Sequence, residues 1–456
     1  MKGARGIAIN LGLFAVLLTI YLLSPVRVMS DTMRYSFIAS ELVHHQTLDV
    51  NRYREYVEPD LYGLRDHNGR LVSFFPWTPA IFEAPVVWVG DAIRDRIGQP
   101  PLADEDPGSP FSTIQYQVVT SSILVALSAL LMRHIALELL SKWSRGKREW
   151  TALGVTLAYG LGTGAWSSAT RSLWTHGPVM LLYLCAIWLA LKSKRNPRFA
   201  ALIGIPLAAA YTVRPTAVSL ALPIGIWLAI KHRRMFPLAM LGAAFVLIPW
   251  FLVNNSLYGT AVPEYFAAGR LNPFAPWVPR SSISTLFSPS RGLFVFSPFL
   301  SLAIVGVVYL VRKRVLDGLF IALVFAAIIQ WVAVVTFDSW WGGHSYGPRL
   351  LTDAVPILVV LAIPALQWIA DLDQIWRRFS AGVVACLVLV SGFMNAPGAL
   401  FRSSVCWNQD HLPTFSEDIA YREIWKVSDS QAITSWRAAF DGDDGLAREL
   451  NQRRRC

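Results

Sequence analysis

Long apolar runs recur along this chain, separated by short polar breaks. An α-helix needs about 17–25 apolar residues to cross a bilayer. Runs near that length occupy Ile7–Val26, Val118–Leu140, Phe236–Val253, Leu293–Val311, Leu316–Phe337, Leu350–Ala370 and Ala381–Leu400. Four shorter runs, at Trp150–Trp166, Gly177–Leu191, Phe199–Val213 and Thr216–Ile230, come in pairs with tight breaks and read as hairpins. The pattern predicts an all-α polytopic membrane protein with about eleven transmembrane helices. The first run follows Lys2 and Arg5 as a signal peptide would, yet it is too long for a signal h-region and no small-residue cleavage site follows. It reads as a retained first helix.

The breaks orient these spans. With the N-terminus in the cytoplasm, the inside segments hold Lys142 to Arg148, Lys192 to Arg198, Lys231 to Arg234, Arg312 to Arg314, and Arg377 and Arg378. Every inside loop is then basic, as the positive-inside rule requires. Segment 27–117 carries eight Arg, no Lys and thirteen Asp or Glu, so it falls outside. It alternates amphipathic stretches, Met33–Leu42 and Pro79–Ile97, with Pro-rich turns, and reads as a large first extracytoplasmic loop bearing interfacial helices. Residues 1–400 form one transmembrane domain on this reading, and 401–456 an extracytoplasmic tail.

Composition agrees. The 456 residues are 54% hydrophobic and 16% charged, whereas soluble domains carry about 25% charge. The net charge of +11 is dispersed between apolar runs, which fits membrane orientation and not a nucleic-acid partner. Cys185 and Cys386 fall in apolar runs and read as packing residues, Cys406 and Cys456 flank the tail and could pair if it is exported, and no spacing suggests a metal site.

Two features carry candidate chemistry. Asp31, just past the first span, is a carboxylate at a membrane edge, where desolvation suits a general base. Taken alone, the simpler reading is that Ser30 or Asp31 caps a helix beginning at Thr32. Arginines also stand at span ends on the acidic side: Arg171 beside His176, then Arg214, Arg291 and Arg349. Their forks match phosphate oxygens, and each could instead pair with a lipid headgroup or a carboxylate. The stretch Trp340–Arg349 is the densest signal, with three glycines, His344, and Trp340 and Trp341 able to stack on a sugar or sit in the interface belt.

This outline resembles the GT-C superfamily of polytopic glycosyltransferases, which includes protein mannosyltransferases and aminoarabinose transferases. The resemblance rests on Asp31 after the first span with the aromatic Tyr35 following, Trp174-Thr175-His176, Arg214-Pro215-Thr216, the 291–298 segment and the 340–349 stretch. Two departures stand out. Asp31 has no adjacent acidic partner, and no lysine precedes the Pro76–Pro79 turn. The resemblance implies transfer of a sugar from a polyprenyl-phosphate donor to a lipid, glycan or protein acceptor outside the cytoplasm of a bacterial cell, in the inner membrane. Asp31 would be the base, with Arg34, Tyr35, Arg171, His176, Arg214, Arg291, Trp341, His344 and Arg349 binding substrate. No cofactor is implied, and a divalent metal is compatible with the scheme. The alternatives are a transporter or flippase of a lipid-linked saccharide and a non-catalytic assembly subunit. The first would need midplane charges or an internal repeat, and neither is evident.

The loop charges make a direct prediction. A reporter active only outside the cytoplasm is expected to work after Asp106 and to be silent near Lys147 and Lys313. The opposite pattern would reverse every side assignment.

Overall fold

The computed structural model describes residues 2–57, 62–267, 269–412 and 416–442. The described chain is helical apart from one short hairpin and an isolated bridge between Leu271 and Phe337. A long helix α1 (Lys2–Leu23) leads into a buried helix α2 (Tyr35–His45), strands β1 (Leu64–His67) and β2 (Arg70–Ser73), and helix α3 (Thr78–Arg96). Then come α4 (Ile114–Leu139), α5 (Arg145–Leu161), α6 (His176–Ser193), α7 (Gly204–Val213), α8 (Val218–Lys231) and α9 (Phe236–Tyr258). The rest is α10 (Leu302–Arg312), α11 (Gly318–Val335), α12 (Val355–Asp371) and α13 (Gln374–Leu400), followed by α14 (Ser403–His411), α15 (Glu417–Ile424) and α16 (Gln431–Phe440).

All eleven apolar runs fall on helical segments. Among the described residues seven helices are long and apolar enough to cross a membrane: α1, α4, α6, α9, α11, the segment Arg349–Asp371 containing α12, and α13. Three shorter apolar helical segments, Pro197–Val213, Pro215–Lys231 and Pro298–Arg312, lie among them. The protein is a multi-pass membrane protein. Apolar side chains such as Phe245 and Leu389 are exposed at 78% and 73%, because the medium around them is lipid and burial in protein gains nothing there.

Close packing therefore relies on small residues. A Cβ on Gly306 of α10 would lie 2.0 Å from the Leu361 carbonyl oxygen of α12, and one on Gly204 would lie 1.8 Å from that of Ala239 on α9. Backbones that close leave no room for a methyl group.

The first loop differs in detail from its sequence pattern. Helix α3 has two faces: Glu83, Val87 and Asp91 are buried, while Ile81, Trp88, Val89, Ile93 and Ile97 are exposed. An exposed apolar stripe of that kind suits a helix lying on a bilayer. Helix α2 does not, because Tyr35 through Glu41 are all buried and leave no lipid-facing side. It is an internal strut against α3. Glu83 is the polar point of that contact: Ser36 donates to it at 2.6 Å, and burial pushes its carboxyl up to about 8.

The hairpin was not anticipated. Asn68 and Gly69 both have positive φ, at 53° and 79°. That is the geometry of a two-residue hairpin turn whose twist matches the strands. The proposed Cys406–Cys456 pair lies outside the described residues, since Cys456 does. Cys185 is partly buried and Cys386 is exposed, so Cys386 faces outward and is not a core residue.

The Gly306 contact gives a prediction. Gly306→Ala is expected to separate α10 from α12 and to destabilise by about 1–3 kcal/mol. Thermal unfolding in detergent measures it, and an unchanged midpoint would show that the two backbones can part freely.

Candidate active site

A cavity of about 430 Å³ opens between the first loop and the segment before α12. Asp31 enters it from the turn after α1, Tyr62 and Arg65 from the hairpin region, His176 and Arg214 from span ends, and His344 and Arg349 from the glycine-rich stretch. Residues 318 positions apart in the chain meet there, since Arg349 Nη1 lies 3.4 Å from Asp31 Oδ2.

Asp31 is not a helix cap. Helix α2 starts at Tyr35, and no side chain caps it. The Asp31 carboxylate is about one-third exposed and accepts from Tyr62 Oη at 2.7 Å and Ser30 Oγ at 3.2 Å. The Tyr62 phenol is pushed up to about 12, first by burial and then by the Asp31 charge. It therefore keeps its proton and donates it to the carboxylate.

Beneath this pair lies a buried polar triad that the sequence reading missed. Asp353 is fully buried in the turn Arg349–Ala354. Its Oδ1 stands 2.8 Å from His176 Nδ1 and its Oδ2 stands 3.1 Å from Arg214 Nε. Arg214 Nη1 is also 3.2 Å from His176 Nε2 and 3.1 Å from Thr175 Oγ1. With its proton on Nδ1, His176 donates to Asp353, and the Arg214 guanidinium lies against the ring, 3.1 Å from Nδ1 and 3.2 Å from Nε2. This tautomer follows from the network.

Arg349 rests on Trp174, its guanidinium carbon 4.0 Å from the ring centroid, and its Nε has no hydrogen-bond partner among the described residues. Two further arginines, Arg65 and Arg270, line the cavity without having been expected there. Arg65 pairs with Glu264 at 3.3 Å, and Arg270 grips Asp338 with two nitrogens at 2.7 and 2.9 Å. Each cavity cation thus has one carboxylate. The Arg349–Asp31 contact is the longest of the four, well beyond the ~2.7–2.9 Å of a strong charge-assisted bond. Arg349 and Arg65, at 3.4 and 3.3 Å from their carboxylates, are the most loosely paired of the four.

The other anticipated residues sort differently. Tyr35 is buried and lines the cavity, as does His344, whose Nε2 stands 2.9 Å from the Leu412 carbonyl. Arg34 is buried at the start of α2 and is not among the lining residues. Arg171 does not reach the cavity: it donates to the Tyr21 and Ser24 carbonyls at 2.7 and 2.9 Å, closing the C-terminus of α1. Unpaired carbonyls at a helix end attract such a cation. Arg291 is also turned away, bonded to the Trp341 carbonyl at 2.8 Å. Trp341 itself is buried among Trp340 and Trp407 and presents no ring to the cavity. Among the described residues no group of three or more His, Cys, Asp or Glu is placed to hold a metal ion.

This architecture has counterparts among solved structures. It is shared with ArnT from Cupriavidus metallidurans, in crystal structures bound to undecaprenyl phosphate and in the apo state. The bound form is 15% identical with a TM-score of 0.50, covering 99% of this chain and 81% of that one. The apo form is 14% identical with a TM-score of 0.51, covering 97% and 80%. No protein-family model matches the chain, and no curated protein matches it.

Removing Asp353 should expose how much rests on the triad. Asp353→Ala leaves Arg214 and His176 buried without their partner, which costs about 3–5 kcal/mol. A variant that melts within a degree of the unmutated protein would show the triad to be dispensable for folding.

Proposed function

We propose that the protein is a glycosyltransferase that moves a sugar from a polyprenyl-phosphate donor to an acceptor hydroxyl on the extracytoplasmic side of the inner membrane. The observation that supports this most is the meeting of Asp31 and Arg349 in one cavity, on a fold otherwise seen holding undecaprenyl phosphate. A base and a phosphate ligand adjacent at a membrane edge are what the reaction requires.

The donor phosphate is an anion in a cavity whose cations are otherwise matched. It competes with Asp31 for Arg349, and winning that competition frees the carboxylate. Arg349 then holds the phosphate with Trp174 behind it, and Arg214 adds charge from the buried side. Tyr62 keeps Asp31 oriented through its 2.7 Å bond. Asp31 takes the acceptor proton as that oxygen attacks the anomeric carbon from the face opposite the phosphate. The new carbon–oxygen bond forms while the bond to the phosphate oxygen breaks, and the electron pair leaves with the polyprenyl phosphate. The configuration inverts. The leaving phosphate is stable as an anion, so the positive site stabilises it without a general acid.

The test uses purified protein and undecaprenyl-phosphate sugars, with release of undecaprenyl phosphate as the readout. Asp31→Asn removes the proton acceptor and is expected to lower turnover about 10²–10⁴-fold. Arg349→Lys keeps charge but loses the fork, which should weaken donor binding by roughly tenfold. Arg378→Lys, on the basic face, is the control. Near wild-type turnover by both Asp31→Asn and Arg349→Lys would overturn the proposal.

A further inference from the structure

The stretch 340–349 supplies four cavity residues, Gly342, Gly343, His344 and Arg349, yet it has little regular structure of its own. Gly342, Gly343 and Gly347 adopt φ of 82°, 58° and 58°, so the backbone doubles back through conformations that only glycine takes easily. Such a segment has many alternative shapes, and something must select one.

What selects it comes from the tail. Gln431, the first residue of α16, is fully buried against the stretch. Its Oε1 accepts from Gly347 N at 3.1 Å and from Arg291 Nη1, while its Nε2 donates to the Ser345 carbonyl at 3.0 Å and the Ser404 carbonyl at 2.7 Å. All four hydrogen-bonding positions of the amide are used. Arg291 completes the clasp: it holds the Trp341 carbonyl and also donates to Asn408 Oδ1 on α14 at 2.8 Å. His344 meets the tail as well, at the Leu412 carbonyl. The tail is itself anchored independently of this, through Trp425 to Ser284 and Trp436 to the Phe393 carbonyl.

We infer that Gln431 and Asn408, on the C-terminal tail, are positioning residues for the transfer reaction, setting the place of Arg349 and His344 through the 341–347 backbone and Arg291. The inference rests on the donor reading above. A buried side-chain network of this kind fixes one geometry when fully satisfied, and losing a hydrogen bond between a guanidinium and a phosphate costs roughly tenfold to a hundredfold in affinity. Among the described residues the tail lines no part of the cavity, so Gln431 and Asn408 act on the substrate through the stretch.

The experiment measures binding of undecaprenyl phosphate to the full-length protein in detergent, together with melting temperature. Gln431→Leu keeps the bulk and removes the amide; by displacing Arg349 it is expected to weaken binding roughly tenfold to a hundredfold. Asn408→Leu removes one Arg291 partner and should shift binding the same way by a smaller factor, carrying the test should Gln431→Leu fail to fold. Trp436→Phe removes the bond to the Phe393 carbonyl and keeps an aromatic ring against Phe393, so α16 stays in place; it should lower the melting temperature and leave affinity within twofold. Affinity retained by a folded Gln431→Leu, or lost equally in Trp436→Phe, overturns the clasp. Failure of the unmutated protein to bind undecaprenyl phosphate overturns the donor reading instead, and the inference falls with it.

Discussion

The buried carboxylate of Asp353 is the constraint on which the site depends. A charge taken out of water must find partners or lose its ionisation, and Asp353 finds two, His176 and Arg214, on separate elements. Those contacts tie the first turn of α6 and the break between α7 and α8 to the segment leading into α12. Three spans are thereby brought to a common depth where lipid offers no hydrophobic incentive to assemble. The cavity lies directly over this knot, and Arg349, four residues before Asp353, projects from the same turn.

Around that centre the arginines divide by what they hold. Arg171 gathers carbonyls at the end of α1 and so fixes where the turn carrying Asp31 begins. Arg291 gathers carbonyls and amides of the glycine-rich stretch and the tail. Arg214 and Arg349 alone among those expected in the sequence reach the cavity, joined by Arg65 and Arg270. A guanidinium serves all these purposes because its five donors fit a carbonyl cluster as readily as a phosphate. Its role is set by what surrounds it.

The same point separates what could be read beforehand from what could not. Apolar runs and basic loops betrayed the spans, because the bilayer imposes length and charge rules that act locally along the chain. Asp31 and Arg349 were legible as unusual charges at span ends. Asp353 was not: three residues into the apolar run that begins at Leu350, it looks like a tolerated polar position until His176 and Arg214 are beside it. Arg291 and Arg349 carry similar sequence surroundings, Ser-Arg-Gly and Pro-Arg-Leu after small residues, and nothing local says that one meets carbonyls and the other a cavity. Helix α2 was misjudged because amphipathicity reports two faces, not what covers them. The hairpin, by contrast, had a usable signal in Asn68-Gly69 between polar and apolar residues, and a membrane-centred reading passed over it.

Glu83 shows how the first loop answers to its surroundings. In an unfolded chain its carboxyl ionises near 4.5, and inside the contact between α2 and α3 it does so near 8. Between those values folding this loop takes up a proton. A raised carboxyl of this kind gives its full stabilisation in acid and yields it as the medium becomes alkaline, by about 1.4 kcal/mol for each pH unit across that window. The α2–α3 strut is therefore a proton-coupled joint, firmer in acid than in alkali. Its strength is set by the chemistry of the space the loop occupies.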